Sequence, residues 1–172
     1  RSRGRPPRIS QERIVDAALR LGLDTLSMQA LADDLGVTAP ALYGHVTGRN
    51  ELVELACHAA RSRLATVGTT TASWRRWLTH FAGVVHRDLA PSACTLLESL
   101  RHDRSSSSLN PQGRAVLVAA GLRPARADAA LWLTTRVALT AASRSSLTAD
   151  LAVVLDGIAA QLAPPHSGSD RP

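Results

Sequence analysis

The sequence predicts an all-α protein with a small N-terminal head and a larger C-terminal bundle of antiparallel helices. Apolar residues recur at intervals of three and four along most of the chain, which is the spacing of one helix face. Ser, Thr, Gly and Pro stand where such helices would begin and end. No stretch alternates apolar and polar residues as a half-buried strand would, and no segment repeats.

The first two helices are predicted from their end signals. Ser10 can cap a helix over residues 11–21, and Gly22 stands at its C-terminal end. Ser27 can cap a second, shorter helix, which Gly36 ends. We therefore expect two helices joined by a short loop.

A third helix is predicted over residues 39–45, with Thr38 as its N-cap. Pro40 is tolerated there because a proline in the first turn lacks only an N–H that has no helical partner. A longer fourth helix is expected to begin near Thr47 or Gly48.

Beyond this head, residues 66–73 carry only short side chains before Trp74 and predict a connection. The polar run over residues 104–113 predicts a loop. Body helices are expected from Trp74, from near Pro91, and over 115–122, 125–144 and 147–162. The expected division is an arm (1–8), a head (9–47), a linking helix (48–67) and a body (68–172).

Basic charge is concentrated at the N-terminus. All 20 basic residues are Arg, and the first eight residues carry four of them without an acid, whereas residues 9–65 carry five Arg against seven acids. No apolar run approaches the roughly 20 residues of a membrane span, and the basic start lacks the apolar core of an export signal. We therefore expect a cytoplasmic protein with no membrane segment.

Catalytic and metal-binding patterns are missing from the sequence. Cys57 and Cys94 lie in apolar helical patterns without ligand spacing, so both are expected to be buried. His86 and Asp88 do not share a helix face and are interpreted as surface residues. We expect no cofactor, no metal and no enzymatic activity.

The second and third helices, joined by a tight turn at Gly36, have the outline of a helix-turn-helix, in which one helix enters the major groove and the other braces it. On the third helix, Leu42 and Val46 are spaced to face the core. The remaining residues are left for the groove: Ala39, Pro40, Ala41, Tyr43, Gly44 and His45. The alternative is two packed helices without a DNA-binding role.

The groove-facing positions lack Arg and Asn, the residues that read guanine and adenine most strongly. We therefore expect residues 39–41 to contact thymine methyl groups. Polar contacts would come from Thr38, Gln29 or His45, and Tyr43 is a candidate phosphate or sugar donor.

The N-terminal arm, RSRGRPPR, places Arg3 and Arg5 on either side of Gly4. This segment is similar to an AT-hook, because prolines keep a chain extended and Arg side chains are attracted to a narrow A·T minor groove. Next to a helix-turn-helix, it predicts a second DNA contact.

The head resembles the TetR family of bacterial repressors over about 45 residues. The matching segments are IVDAALRLG, SMQALADDLGVTAPALYGHV and RNELVEL. The resemblance implies an Ω-shaped dimer whose fourth helix links a DNA-binding head to a sensor body. Together with Arg3, Arg5, Ser27 and Thr38, the DNA contacts it implies are Met28, Gln29, Ala39, Pro40, Ala41, Tyr43, His45 and Arg49.

Three body segments are similar to the tetracycline-repressor type of C-terminal domain: SWRRWLTHFAGVVHRDL, GRAVLVAAGLRPARADAALWLTTRVALTA and DLAVVLDGIAAQL. This similarity implies a ligand cavity walled by the helices of Trp74, Leu96 and Trp132. The drug-coordinating His and Asn of true tetracycline repressors are not reproduced, so neither tetracycline nor magnesium is implied. Candidate lining residues are Trp77, His80, Phe81, Leu97, Leu100, His102, Trp132 and Arg136.

The last helix carries an apolar stripe, and the helix before it carries small residues, so two copies could form a four-helix interface. A dimer would set two recognition helices about 34 Å apart, one duplex turn. The sequence thus predicts a nucleoid-associated repressor of a palindromic double-stranded operator, released by an unidentified small molecule. The alternative is a ligand-independent architectural or partner-binding DNA-binding protein.

Overall fold

A computed structural model of the chain describes residues 9–69, 73–102 and 108–162. Within these ranges the chain is helical and has no strand, which confirms the all-α prediction. The α helices are α1 (Gln11–Leu21), α2 (Met28–Leu35), α3 (Ala39–Leu42), α4 (Arg49–Thr66), α5 (Trp74–Leu89), α6 (Ala93–His102), α7 (Pro111–Ala119), α8 (Pro124–Thr140) and α9 (Arg144–Leu162), with 3-10 turns at Leu23–Thr25 and Ala90–Ser92.

The described residues form two compact units. The head unit contains residues 9–63 and 88–102, and the body unit contains residues 64–69, 73–87 and 108–162. Helix α4 begins in the head unit, and its last residues belong to the body unit. The sequence assigned all of residues 68–172 to the body, whereas residues 88–102 here pack with the head.

Helices α1 and α2 form as their caps predict. Ser10 Oγ accepts a hydrogen bond from the backbone N–H of Arg13 at 3.3 Å, and Ser27 Oγ accepts one from Ala30 at 3.1 Å. Gly36 ends α2 in the left-handed conformation that glycine favours. The largest fully buried side chains of the head unit are Ile14, Leu19, Leu23, Leu31, Leu42 and Leu52.

Helix α3 is shorter than expected, because it ends at Leu42 rather than near His45. The backbone N–H groups of His45 and Val46 both bond the carbonyl of Leu42, at 2.9 and 3.1 Å, in a closing turn. Gly44 in this turn is a poor helix former. The turn places Val46 in the core, where it is 2% exposed, as its spacing predicted.

In the head unit, the loop after α1 packs directly against the turn before α6. A Cβ atom at Gly22 would lie 2.4 Å from the carbonyl oxygen of Pro91, and Gly22 has a φ of +94°, so only glycine fits. The backbone N–H of Leu23 donates to the buried Oγ of Ser92 at 2.9 Å.

The body unit is built from α5, α7, α8, α9 and the end of α4, around a core that includes Trp77, Leu78, Phe81, Leu117 and Leu131. Four predicted boundaries were wrong. Helix α7 begins at residue 111 instead of 115, because Asn110 caps it, and ends at 119 instead of 122. Helix α8 ends at 140 instead of 144, and α9 begins at 144 instead of 147. The short connection between α8 and α9 consists of residues that were predicted to belong to the end of α8.

Helix α9 is also unusual in its exposure. By length and mean hydropathy, 1.2 over its most apolar 18 residues, it could cross a membrane, and only 22% of that window is buried in the single chain. Its buried positions are Leu147, Leu151, Val154 and Ile158. Length and composition alone are weak grounds for a membrane span, but the low buried share shows that the described part of the chain leaves much of α9 uncovered.

Candidate functional site

Helices α2 and α3 form the predicted helix-turn-helix. Leu31 and Ala32 of α2 and Leu42 of α3 are fully buried, so the two helices pack through one apolar side each. On α1, Arg20 donates to Asp34 of α2 at 2.5 Å, and Arg63 of α4 pairs with Asp16. The opposite sides of α2 and α3 are therefore free to face a ligand as large as a duplex.

Most of the expected DNA-contacting residues lie on that outward side. Met28 and Ala39 are half-buried, and the exposed set is Ser27, Gln29, Thr38, Pro40, Ala41, Tyr43 and His45. Tyr43 is 54% exposed, although tyrosine is large and partly apolar. An outward tyrosine just past a short recognition helix suits a phosphate contact.

Some polar groups of this surface already have partners. The Ser27 hydroxyl caps α2, and Gln29 Nε2 donates to Asp33 Oδ1 at 2.8 Å. The hydroxyl of Thr38 makes no capping hydrogen bond, so it is available. The groove-facing surface is therefore largely apolar, with Thr38, Tyr43 and His45 as its free polar side chains.

Arg49, an expected DNA contact, is exposed and also bonds the protein backbone. Its Nε donates to the carbonyl of Leu26 at 3.0 Å, and its Nη2 donates to the carbonyl of Leu23 at 3.0 Å. We call this arrangement the Arg49 bridge. It fixes the start of α4 to the loop in front of α2, so the guanidinium orients the helix-turn-helix from behind.

The arm residues Arg3 and Arg5 lie outside the described residues, and their DNA contacts stay a prediction. At the start of α4, Glu51 accepts hydrogen bonds from the backbone N–H and the hydroxyl of Thr47, at 2.5 and 2.7 Å. These bonds lower the pKa of Glu51, the backbone bond most, and cap the helix that connects the head to the body.

The eight predicted ligand-lining residues are divided between the two units. Leu97 and Leu100 of α6 belong to the head unit, half-buried and buried respectively, whereas the side chain of His102 lies outside the described residues. In the body unit, His80 and Arg136 are exposed, and Arg136 lies over the half-buried ring of Trp132 at 5.0 Å. Only Trp77 and Phe81 are fully buried there, stacked with their ring centroids 5.2 Å apart.

The body unit has a groove of about 550 Å³ on another surface, between α8 and α9. Its residues are Leu122, Arg126, Ala129, Ala130, Leu133, Val137, Asp150, Val153, Val154, Gly157, Ile158 and Gln161. None of the eight predicted residues lines it. Leu133 and Val153 at this groove are 46% and 74% exposed, which is unusual for large apolar side chains.

Sequence reasoning missed the most densely bonded polar residue of the body unit. Asn110 is fully buried; its Nδ2 donates to the carbonyls of Leu64 and Val67, both at 2.7 Å, and its Oδ1 accepts from Gly113 N–H at 2.7 Å. This Asn110 bridge caps the start of α7 and the end of α4 with one side chain. An Asn directly before a proline at a helix start was the available signal.

Asp24 is the corresponding missed residue of the head unit. Its carboxylate accepts hydrogen bonds from Cys94 N–H at 3.1 Å and from the N–H and hydroxyl of Thr95 at 2.9 and 2.7 Å. Partial burial alone would raise the pKa of Asp24, but the bonds from Thr95 and Cys94 outweigh it and hold the pKa below 3.8. This Asp24 bridge caps α6 from outside the helix, and nothing in the local sequence predicts it.

Two smaller expectations also fail. Cys57 is buried, and burial raises the pKa of its thiol, but Cys94 is exposed because it lies in the first turn of α6 beside Asp24. His86 is half-buried rather than a surface residue, and its Nδ1 lies 3.0 Å from the carbonyl oxygen of Ala138 in the body unit.

Comparison with known proteins shows which of them this chain resembles. No family model matches the chain. It is 33% identical over 87 residues to an HTH-type transcriptional regulator of Saccharopolyspora erythraea, covering 48% of this chain and 37% of that protein. It is 40% identical over 58 residues to the HTH-type transcriptional repressor DrrR1 of Streptomyces coeruleorubidus, covering 31% of this chain and 22% of that protein. The chain thus matches little more than a third of these relatives at most.

Solved structures match a larger share of this chain than these relatives do. The structure of BioQ with its double-stranded DNA operator is similar with a TM-score of 0.58 and 24% identity, over 89% of this chain and 99% of that one. The structure of SCO7222, a TetR from Streptomyces coelicolor, is similar with a TM-score of 0.57 and 21% identity, over 91% of this chain and 100% of that one. The fold that the resemblance to the TetR family implied is therefore confirmed: the chain has the fold of these TetR-type structures.

Proposed function

We propose that the chain is a homodimeric repressor of the bacterial cytoplasm that binds a palindromic operator on the nucleoid and is released by a small-molecule inducer. The observation that carries the proposal is the exposed outer side of α2 and α3, braced from behind by buried leucines and by the Arg49 bridge. A helix held at a fixed angle is what base reading in the major groove requires.

The apolar recognition surface determines how DNA would be read. Ala39, Pro40 and Ala41 contact thymine methyl groups, while Thr38 and His45 supply hydrogen bonds to base edges and Tyr43 to a phosphate. Each of these contacts alone discriminates only weakly between base pairs. The arm with Arg3 and Arg5 therefore adds affinity by binding the adjacent minor groove. Specificity therefore depends on both grooves.

The groove between α8 and α9 supports the dimer. Leu133 and Val153 expose apolar surface that a second copy would bury against its own α8 and α9, giving a four-helix interface. The same contact would cover the exposed side of α9. Val153→Glu should shift the sedimentation of the full chain from dimer to monomer, whereas Ala152→Glu, exposed but outside the groove, should leave it dimeric. A monomeric wild type, or one that floats with lipid vesicles, would overturn this dimer.

The proposed release is a thermodynamic linkage in which inducer and operator weaken each other equally. The Asn110 bridge supports it, because the end of α4 is bonded to the start of α7 in the body unit while the start of α4 is bonded to the head. A displacement of α7 therefore moves the helix that carries the helix-turn-helix.

Footprinting with the full chain tests the operator. We expect a discrete, two-fold symmetric footprint that survives competitor DNA and is lost with Tyr43→Phe together with His45→Ala, while the variant keeps its helical spectrum. Removing residues 1–8 should reduce the affinity and its dependence on salt without dissociating the dimer. Binding that follows A·T content alone and disappears with salt would instead support the alternative, an architectural DNA-binding protein.

A further inference from the structure

The groove between α8 and α9 carries one charged side chain of each sign. Of the described residues that line it, only Arg126 of α8 and Asp150 of α9 are charged, and both are exposed. Within the described part of the chain, neither of them forms an ion pair, and Asp150 accepts a hydrogen bond from the hydroxyl of Ser146 at 3.2 Å. Each charge is therefore left for a partner outside these residues.

The other acids of the described body unit already have basic partners in the same chain. Asp128 of α8 pairs with Arg114 of α7 at 3.1 Å, and Asp156 of α9 pairs with Arg75 of α5 at 3.3 Å. Both pairs lie outside the lining of the groove. Asp150 therefore differs from them, because it lies without a basic partner on the apolar surface that the proposed dimer buries.

The two charges lie towards opposite ends of the groove. Helices α8 and α9 run antiparallel, because residues 141–143 connect them and a Cβ atom at Gly121, before α8, would lie 3.4 Å from Cδ2 of Leu162 at the end of α9. At a helical rise of about 1.5 Å per residue, Arg126 lies about 21 Å from the connected end and Asp150 about 9 Å from it. The two charges are therefore about 12 Å apart along the groove.

The midpoint between these charges coincides with exposed apolar surface. It lies level with Ala130 of α8 and Val154 of α9, next to the exposed Val153. A two-fold axis that crosses both helices at this level would reverse the second copy end for end. Arg126 of each copy would then lie level with Asp150 of the other copy, at both ends of the interface.

We infer that Arg126 and Asp150 form two symmetric ion pairs between copies, which fix the register of the dimer and select an identical chain as the partner. The inference rests on the proposed dimer and adds the residues that determine its orientation. Apolar contacts through Val153 are non-directional and would tolerate other registers. With the two-fold axis along the helices instead, like charges would gather at each end of the interface, which opposes association.

Charge reversal tests these pairs by sedimentation equilibrium of the full chain without DNA. Arg126→Glu and Asp150→Arg should each weaken the dimer about tenfold or more, because like charges then meet at both ends of the interface. An equimolar mixture of the two single variants should dimerise as tightly as the wild type, since opposite charges meet at both ends of the mixed dimer. Arg136→Glu, an exposed change on α8 outside the groove, is the control and should leave the affinity unchanged.

The double variant Arg126→Glu, Asp150→Arg tests the selection of the partner. It should dimerise with itself, whereas differently tagged copies should show that it does not pair with the wild type, because like charges would meet. If a single variant failed to fold, this comparison of the double variant with the wild type would decide. Single variants that dimerise like the wild type, or a double variant that pairs freely with the wild type, would overturn the inference and leave the proposed dimer standing. A monomeric wild type would overturn both.

Discussion

The head and body units both use side chains that bond the backbone of a distant segment, but with opposite chemistry. In the head unit the side chains are charged and lie near the surface: Arg49 bonds the loop before α2, and Asp24 caps α6. In the body unit the side chain is a neutral and fully buried amide, in the Asn110 bridge. Of these contacts, only the Asp24 bridge is expected to weaken at low pH.

This difference bears on the proposed function. Under that proposal the head must adjust to a highly charged partner, and exposed ion-assisted bonds are individually weak. The body would transmit a small displacement, which a buried hydrogen-bond network favours. We expect the body end of α4 to be the stiffer of its two attachments.

The largest expected effect is at the body end. Asn110→Ala leaves the carbonyls of Leu64 and Val67 and the N–H of Gly113 without their partner, and we expect the free energy of unfolding to fall by about 2–4 kcal/mol. Denaturant titration measures this loss, which should be the same at pH 5 and pH 8.

Asn110→Ser is the matched control, because serine can still cap α7 but is too short to donate to both α4 carbonyls. It should recover only the capping part of the loss, about 1 kcal/mol. A cost below about 0.5 kcal/mol for Asn110→Ala would mean that the bridge does not hold α4.

A smaller effect is expected at Asp24. Its pKa is lowered in the folded protein, so its stabilisation is fully present above the unfolded pKa and is lost as the pH falls through the folded value. Asp24→Asn should cost about 1 kcal/mol at pH 7, as for loss of a helix cap, and the difference should shrink as the pH falls below about 4, the pKa of an unfolded Asp. Thermal unfolding across pH measures it, with Glu54→Gln, an exposed change on α4, as control. A constant difference down to pH 3 contradicts the Asp24 bridge.

The smallest effect on stability is expected at Arg49, about 1 kcal/mol for two hydrogen bonds near the surface. Arg49→Met and Arg49→Lys should lower stability alike, because lysine cannot reach both carbonyls in the geometry of a guanidinium. The salt dependence of DNA binding should stay unchanged in both. If Arg49→Met, but not Arg49→Lys, lowers the slope of log DNA affinity against log salt concentration by about one, Arg49 contacts a phosphate instead.

The parts of the fold that were predictable depend on local signals. Ser10, Ser27 and Gly36 act on their own helices, so the sequence placed α1 and α2 closely. The end of α3 was missed because the predicted helix ran through Gly44, a poor helix former that lies in the turn after Leu42.

The bridges were hidden from the sequence because they join distant residues. Asp24 and Thr95 are 71 positions apart, and Asn110 and Leu64 are 46 apart. The polar run over residues 104–113 looked like a loop since its Ser-rich start obscured the Asn-Pro helix start. Family resemblance assigned Arg49 to DNA, which stays a prediction, and it gave no sign that Arg49 also bonds the protein backbone.

The most direct test of the central claim is selection of bound duplexes from random DNA by the full chain. We predict enrichment of a palindrome whose half-sites are centred one helical turn apart, with A·T-rich flanks that disappear when residues 1–8 are removed. A triple variant Thr38→Ala, Tyr43→Phe, His45→Ala should enrich nothing but the flanks. Enrichment of A·T-rich sequence without two-fold symmetry by the wild-type chain would contradict the account.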